Sequence, residues 1–273
     1  MRTGENRREQ AGDVDEQTVG ETLGAAKPEL RARFEAAGGK PVYVRRMFGR
    51  IARVYDAMNR IMSLGLDGRW RRFTVRHIAL EPHQTGLDIG TGTGDMAIEL
   101  ARASAPSARV VGVDFTPEML ERGRAKIRRL GLADRVELHQ GDGEQLDFPD
   151  NSFDACCSAF VVRNMADLHQ GFGEMLRVVR PGGRMACLEI SHPRNPIFSA
   201  LFDFYFGRLV PILGSLIGRA FDAYSYLPTS VTAFPKAPEL KRIIERAGWG
   251  NVRYYYLFGG VVAVHVATKA PAR

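Results

Sequence analysis

Three short segments hold residues whose type and spacing can bind a nucleoside. The first is Leu87-Asp88-Ile89-Gly90-Thr91-Gly92-Thr93-Gly94-Asp95, with glycines at alternate positions. Glycine takes up backbone angles closed to other residues and lets a ligand approach the main chain. A helix starting behind such a loop offers free N–H groups and the positive end of a dipole. The second is Asp114, 20 residues beyond Gly94. A carboxylate at a strand end can accept both hydroxyls of a ribose. It can equally cap the helix that begins at Thr116-Pro117-Glu118. The third is Gly141-Asp142-Gly143, where an aspartate between glycines either bonds an adenine amino group or makes a plain turn. Alone, each signal is weak. At three successive strand ends they reinforce one another.

The glycine spacing decides between cofactors. A nicotinamide loop needs G-x-G-x-x-G, and here the third glycine, Gly94, comes one residue early. With Asp88 two residues before Gly90, the loop resembles that of S-adenosylmethionine-binding proteins. Asp88 would then sit near the cationic amino end of the ligand, and Gly90 and Gly92 beneath it.

These loops need a scaffold. From Tyr43 to Met62, apolar residues (Val44, Met47, Ile51, Val54, Met58) recur near the helical period, with Arg45, Arg46, Arg50 and Arg53 opposite. A second helix is predicted from residue 67 to about 80, ended by Pro82. Strands over 86–90, 109–114, 135–139, 153–160 and 184–190 then alternate with helices over 95–103, 117–130 and 168–179. That alternation predicts βαβ units and a mostly parallel, doubly wound α/β sheet with ligands at its carboxyl edge. Two last strands, 252–258 and 260–268, form an antiparallel hairpin and bring the count to seven. Residues 192–235, rich in aromatics and proline, interrupt the rhythm and read as a lid over the substrate. Residues 1–40 carry few large apolar groups (Leu23, Leu30, Phe34) and read as a disordered extension before one catalytic domain over 41–273.

Composition narrows the classes further. The 273 residues include 38 Lys+Arg against 31 Asp+Glu, a formal charge of +7. Such a balance suits an anionic membrane surface or cofactor, and no nucleic-acid recognition module accompanies it. The cysteines, Cys156, Cys157 and Cys187, have no disulfide or metal spacing and suit a reducing compartment. No secretory signal and no adequate transmembrane run is visible. A cytoplasmic protein is expected, in peripheral contact with the inner face of the cell membrane, its oligomeric state left open.

From about Tyr43 to Lys269 the chain resembles the menaquinone/ubiquinone biosynthesis C-methyltransferase family. Tyr55-Asp56-Ala57-Met58-Asn59, Met62-Ser63-Leu64-Gly65 and Trp70-Arg71 carry the N-terminal part of the resemblance. Asp114-Phe115, Phe148-Pro149-Asp150-Asn151-Ser152-Phe153-Asp154, Arg177-Val178-Val179-Arg180-Pro181-Gly182-Gly183 and Asp222-Ala223-Tyr224-Ser225-Tyr226 carry the rest. The family usually shows Phe-Gly-x-Arg-Asn after the fourth strand, where this chain has Phe160-Val161-Val162-Arg163-Asn164. Val161 is expected to narrow the space beside the cofactor. The resemblance implies a class I, Rossmann-like methyltransferase, S-adenosylmethionine as cofactor, and Thr93, Asp114, Asp142 and Gly143 as cofactor-binding positions. It also implies a polyprenylated quinol substrate: demethylmenaquinol, or the benzoquinol of ubiquinone synthesis. A lipid methyltransferase and a non-catalytic cofactor-binding partner are the alternatives.

Methylating an aromatic carbon requires the adjacent ring hydroxyl to lose its proton. A phenol titrates near pH ~10, so the site must stabilise the anion. A guanidinium does this without yielding its own proton. Arg163 is the candidate, with Asn164 orienting the hydroxyl or the cofactor. The pair can instead cap the following helix. Glu189 either orients Arg163 or ends its strand in solvent. His192 is a candidate base or an ordinary surface residue. Tyr224 and Tyr226 contact the ring or pack the lid, and Tyr55 closes over the cofactor or joins the core.

Overall fold

A computed structural model describes residues 28–209 and 221–272. Its centre is a seven-stranded sheet: β1 (Thr85–Ile89), β2 (Arg109–Asp114), β3 (Val136–Gln140), β4 (Phe153–Ala159), β5 (Val179–Ile190), β6 (Gly250–Leu257) and β7 (Val262–Thr268). The spatial order is β3-β2-β1-β4-β5-β7-β6. The first five strands run parallel, while β7 lies antiparallel to both β5 and β6. β1 pairs with both β2 and β4, so the winding reverses there. A crevice at the carboxyl edge follows from that reversal.

The inner strands are largely apolar because both faces are covered, whereas the edge strands β3 and β6 are part-exposed. On one face α5 (Asp95–Ala103) and α6 (Pro117–Arg129) bury Leu100, Leu120 and Ile127 against Val110 and Ala155. On the other, α7 (Leu168–Val178) and α10 (Ala237–Arg246) bury Phe172, Met175, Leu240 and Ile244 against Leu87 and Cys187. All three cysteines are free and fully buried in this sandwich, and burial pushes their thiols well up. That keeps them as unreactive thiols, two of them packing and Cys157 also donating to Asp88 Oδ1 at 3.7 Å.

Among the described residues four helices precede the sheet: α1 (Pro28–Ala37), α2 (Lys40–Ile51), α3 (Tyr55–Met62) and α4 (Asp67–Val75). Here the structure departs from the sequence reading. The extension expected to be disordered contains α1, whose Phe34 is buried in a cluster with Tyr43 and Tyr226. One aromatic side chain with two aromatic partners, at ring distances of 5.3 and 6.3 Å, seats a helix whose composition is otherwise polar. Residues 1–27 lie outside the described part. The single helix expected over 43–62 is two, separated by a tight turn at Ala52–Val54. The N–H of Val54 donates to Ile51 O at 2.9 Å, a three-residue rather than four-residue bond. The helix expected to reach residue 80 stops at Val75, and buried Ile78 and Leu80 enter the core from a turn.

After β5 the chain forms α8 (Pro196–Phe204), capped by Asn195, one π turn (Tyr205–Leu209), and α9 (Phe221–Thr232). The lid expected over 192–235 is thus largely helical where described. Residues 210–220, including Arg219, and the side chains of Phe206, Leu209 and Tyr224 lie outside the described part.

Candidate active site

The glycine loop closes the end of β1. Gly90 has φ +66°, and a Cβ there would lie 2.3 Å from a methyl of Val161, so no other residue fits. Val161 therefore fills the room left by glycine, directly above the loop. Gly92 donates its N–H to Asp114 Oδ2 at 2.8 Å, and Thr116 donates its N–H to Oδ1 at 2.8 Å. Asp114 thus ties the loop to Thr116, the residue that precedes α6. Asp142 lies exposed after β3, accepting the N–H of Glu144 at 2.9 Å, with Gly143 packed on Ile89. In the sheet order β3-β2-β1 these are three neighbouring strand ends.

Asp88 is not at the surface of this site. It is fully buried beneath the loop, where the Thr91 hydroxyl donates to Oδ2 at 2.6 Å. Burial pushes its carboxyl up to about 7 against that bond. Its position makes it a strut of the loop. Thr93 donates its hydroxyl to Asp56 of α3 at 2.6 Å and accepts from Lys126 Nζ at 3.1 Å. The set as a whole fits S-adenosylmethionine: carboxylate acceptors at the ends of β2 and β3, and a glycine backbone at the end of β1 that admits close approach.

Across the crevice lies a cavity of about 100 Å³. Tyr55, Asn59, Trp70, Phe160, Arg163 and Tyr226 line it with apolar residues from α2, β5, α9 and β7. Arg163 is the charged centre. Its Nη1 donates to both oxygens of Glu189, at 3.3 and 3.1 Å, and its own backbone N–H donates to Oε1 at 3.3 Å. Glu189 is fully buried, and burial raises its carboxyl against the pull of Arg163. Arg163 Nε is also buried and has no hydrogen-bond partner among the described residues. A buried orphan donor costs about 1–3 kcal/mol. Phe160 reaches the cavity from φ +62°, an uncommon angle for an aromatic residue.

The other expected residues divide. Asn164 does not cap α7; Asp167 does, accepting from Gln170 N–H at 3.0 Å. Asn164 instead accepts the Tyr226 hydroxyl at 3.1 Å, joining the turn after β4 to the lid. Burial pushes the Tyr226 phenol up, so it stays protonated as that donor. His192 is half-buried and absent from this cavity. It lines a separate open groove of about 900 Å³ with Thr232, Phe234, Lys236 and Glu239. Asn59, Trp70 and Phe160 had no individual role in the sequence reading. Their only signal was membership of the segments that carry the family resemblance.

The model of the ubiE/COQ5 methyltransferase family matches residues 36–269. The chain belongs to that family. It is an S-adenosylmethionine-dependent methyltransferase. A Geobacter sp. (strain M21) protein named ubiquinone/menaquinone biosynthesis C-methyltransferase is 44% identical, over 83% of this chain and 96% of its own. A demethylmenaquinone methyltransferase of Roseiflexus sp. (strain RS-1) is 45% identical, over 84% and 94%. Solved structures share the fold at low identity. A SAM-dependent methyltransferase from Aquifex aeolicus aligns with TM-score 0.54 and 20% identity over 72% of this chain and 88% of that one. One from Thermotoga maritima aligns with TM-score 0.57 and 17% identity over 82% and 99%.

Proposed function

We propose that this methyltransferase C-methylates a polyprenylated quinol in respiratory quinone synthesis, with demethylmenaquinol as substrate. The observation that carries the reading is the aromatic-walled cavity whose one cation among the described residues, Arg163, keeps a buried donor unpaired. When bound, the cofactor supplies an electrophilic methyl on a sulfonium. Asp114 would accept the ribose hydroxyls and Asp142 the adenine amino group, and Gly90, Gly92, Thr93 and Gly143 would complete the cofactor's seat. Arg163 stabilises the ring oxyanion once the hydroxyl proton has passed to solvent, and Glu189 fixes the guanidinium so that it need not reorganise. The Tyr226–Asn164 bond holds the lid helix against the turn that carries Arg163.

The prenyl tail needs a way in. Ile197, Leu201 and Phe204 of α8 and Phe258 before β7 are exposed, while Phe202 turns inward onto Ile190, a cavity residue. Arg194 and Arg208 are exposed beside them. An apolar face rimmed by arginine suits peripheral contact with an anionic bilayer. Among the described residues no helix is long and apolar enough to cross a membrane.

The test uses full-length protein, methyl-labelled cofactor and quinones in anionic liposomes. Label should appear on a ring carbon of reduced demethylmenaquinone and not of the oxidised form. A benzoquinol arm ranks the two ring systems. Absence of label from every quinol would overturn the substrate. Ile197→Ser with Leu201→Ser should impair use of the long-tailed substrate more than of a tail-less analogue.

A further inference from the structure

The first turn of α3 reaches both ligand sites. Tyr55 and Asn59 line the cavity, while Asp56 between them leaves it and meets the glycine loop. Its Oδ1 accepts the Thr93 hydroxyl at 2.6 Å, and its Oδ2 lies 2.5 Å from Lys126 Nζ. Lys126 comes from α6 and also donates to Thr93 Oγ1 at 3.1 Å and to Asp95 Oδ1 at 2.7 Å. One ammonium, its side chain 15% exposed, thus holds two carboxylates and a hydroxyl from three elements. A second strut runs parallel to it: Arg71 of α4 pairs with Asp67 and stands 3.9 Å from Asp95.

Methyl transfer requires the acceptor carbon to lie in line with the departing bond, and small misplacements cost large factors in rate. The two ligands rest on separate parts of the chain, one on the sheet's edge and one against the N-terminal helices. We propose that Lys126 and Asp56 are positioning residues: they register the cavity wall on α3 against the cofactor loop, so that occupancy of the loop is felt at Tyr55 and Asn59. This rests on the quinol reading for the cavity and on the cofactor's seat at the loop. The charges make the two residues unequal. Without Asp56, Lys126 keeps Asp95. Without Lys126, Asp56 and Asp95 face each other with no ammonium between them and repel α3 from the loop.

The experiment measures amide hydrogen exchange of the full chain with and without S-adenosylhomocysteine, for wild type, Lys126→Met, Lys126→Arg and Asp56→Asn. In wild type the ligand should slow exchange across residues 55–62. Lys126→Met should lose that protection and bind S-adenosylhomocysteine about tenfold more weakly, within the usual range of site-to-site coupling. Asp56→Asn should lose less, and Lys126→Arg should regain most of both. Quinol turnover should then show a fall in kcat in Lys126→Met at saturating cofactor. Protection of 55–62 in Lys126→Met equal to wild type would overturn the proposal. So would a loss of protection spread equally over the sheet, the mark of general destabilisation. Should Lys126→Met not fold, Asp56→Asn decides by the same two readings. The exchange measurement uses no quinol, so it still decides if every quinol proves inert and the substrate reading falls.

Discussion

The cofactor loop and the quinol cavity are built in opposite ways. The loop is local: Asp88, Gly90, Thr91 and Gly92 lie within five residues, and Asp114 follows at the next strand end. The cavity is assembled from Tyr55, Trp70, Phe160, Arg163 and Tyr226, supplied by α3, α4, the turn after β4, and α9. A local site can be disabled by one backbone change and leaves the cavity standing. An assembled site depends on packing far from it, and on a buried ion pair that only the fold completes.

The sharpest break between the two is at Arg163. Arg163→Lys keeps the charge beside Glu189 but loses the planar fork. The expected result is a fall in kcat of about 10²–10³-fold, the scale for removing one donor to a developing oxyanion. Affinity for S-adenosylhomocysteine by calorimetry should stay unchanged. Arg163→Ala is a poorer probe, since it strands Glu189 as a buried charge.

The converse break is Gly92→Val together with Asp114→Ala, made separately. Valine at φ +54° is strained, and alanine removes the acceptor that Gly92 and a ribose would share. Each should weaken cofactor binding by roughly 10–100-fold, from about 1.5–3 kcal/mol for a hydrogen bond to a charged group. Native circular dichroism should persist. Unchanged calorimetric affinity in both variants would remove the loop from the site.

Between these lies Phe34, which belongs to neither site but packs on Tyr226. Phe34→Ala should cost about 3 kcal/mol in urea unfolding, near the usual value for a buried aromatic. Its effect on quinol turnover should exceed its effect on cofactor affinity, because Tyr226 belongs to the cavity. Equal effects would blur the division.

The smallest effect concerns pH. Asp88 titrates near 7 in the fold, above the ordinary carboxylate value. Between those two values the folded state binds more protons than the unfolded state, so this residue makes stability fall as pH rises toward 7. Asp88→Asn should flatten that part of the curve relative to wild type, read from urea midpoints between pH 4 and 7. Asp114 and Glu189 are raised in the same direction, so only the difference from wild type reports on Asp88.

Legibility followed the same division. The parallel strands, the C-terminal hairpin and the loop between β1 and α5 are visible because short apolar, β-branched runs, glycine spacing and proline at a helix start act within a few residues. Asp114 was visible as both a ribose acceptor and a helix start, and the structure ties it to the loop and to Thr116, the residue that precedes α6. The burial of Asp88 is not legible in the motif for a simple reason: the motif shows that a carboxylate precedes the glycines, not whether its side chain faces a ligand or the core. His192 stands at the expected sheet edge, yet a neighbouring groove takes it. The turn at Ala52–Val54 contains neither glycine nor proline and left no mark in the pattern. Phe34 escaped because one aromatic side chain in a polar segment is too little to signal burial by composition.

By itself the sequence determined the order of elements, the family, the cofactor and the presence of Arg163 at the end of the fourth strand, all matters of local pattern. The tertiary structure alone decided that Glu189, 26 residues on, would grip Arg163 and leave its Nε unpaired. It alone brought α3 and α9 to the same cavity and placed Lys126 between Asp56 and Asp95. Such contacts depend on which helix face packs against which strand end. No local window contains that choice, because burial over the whole chain makes it.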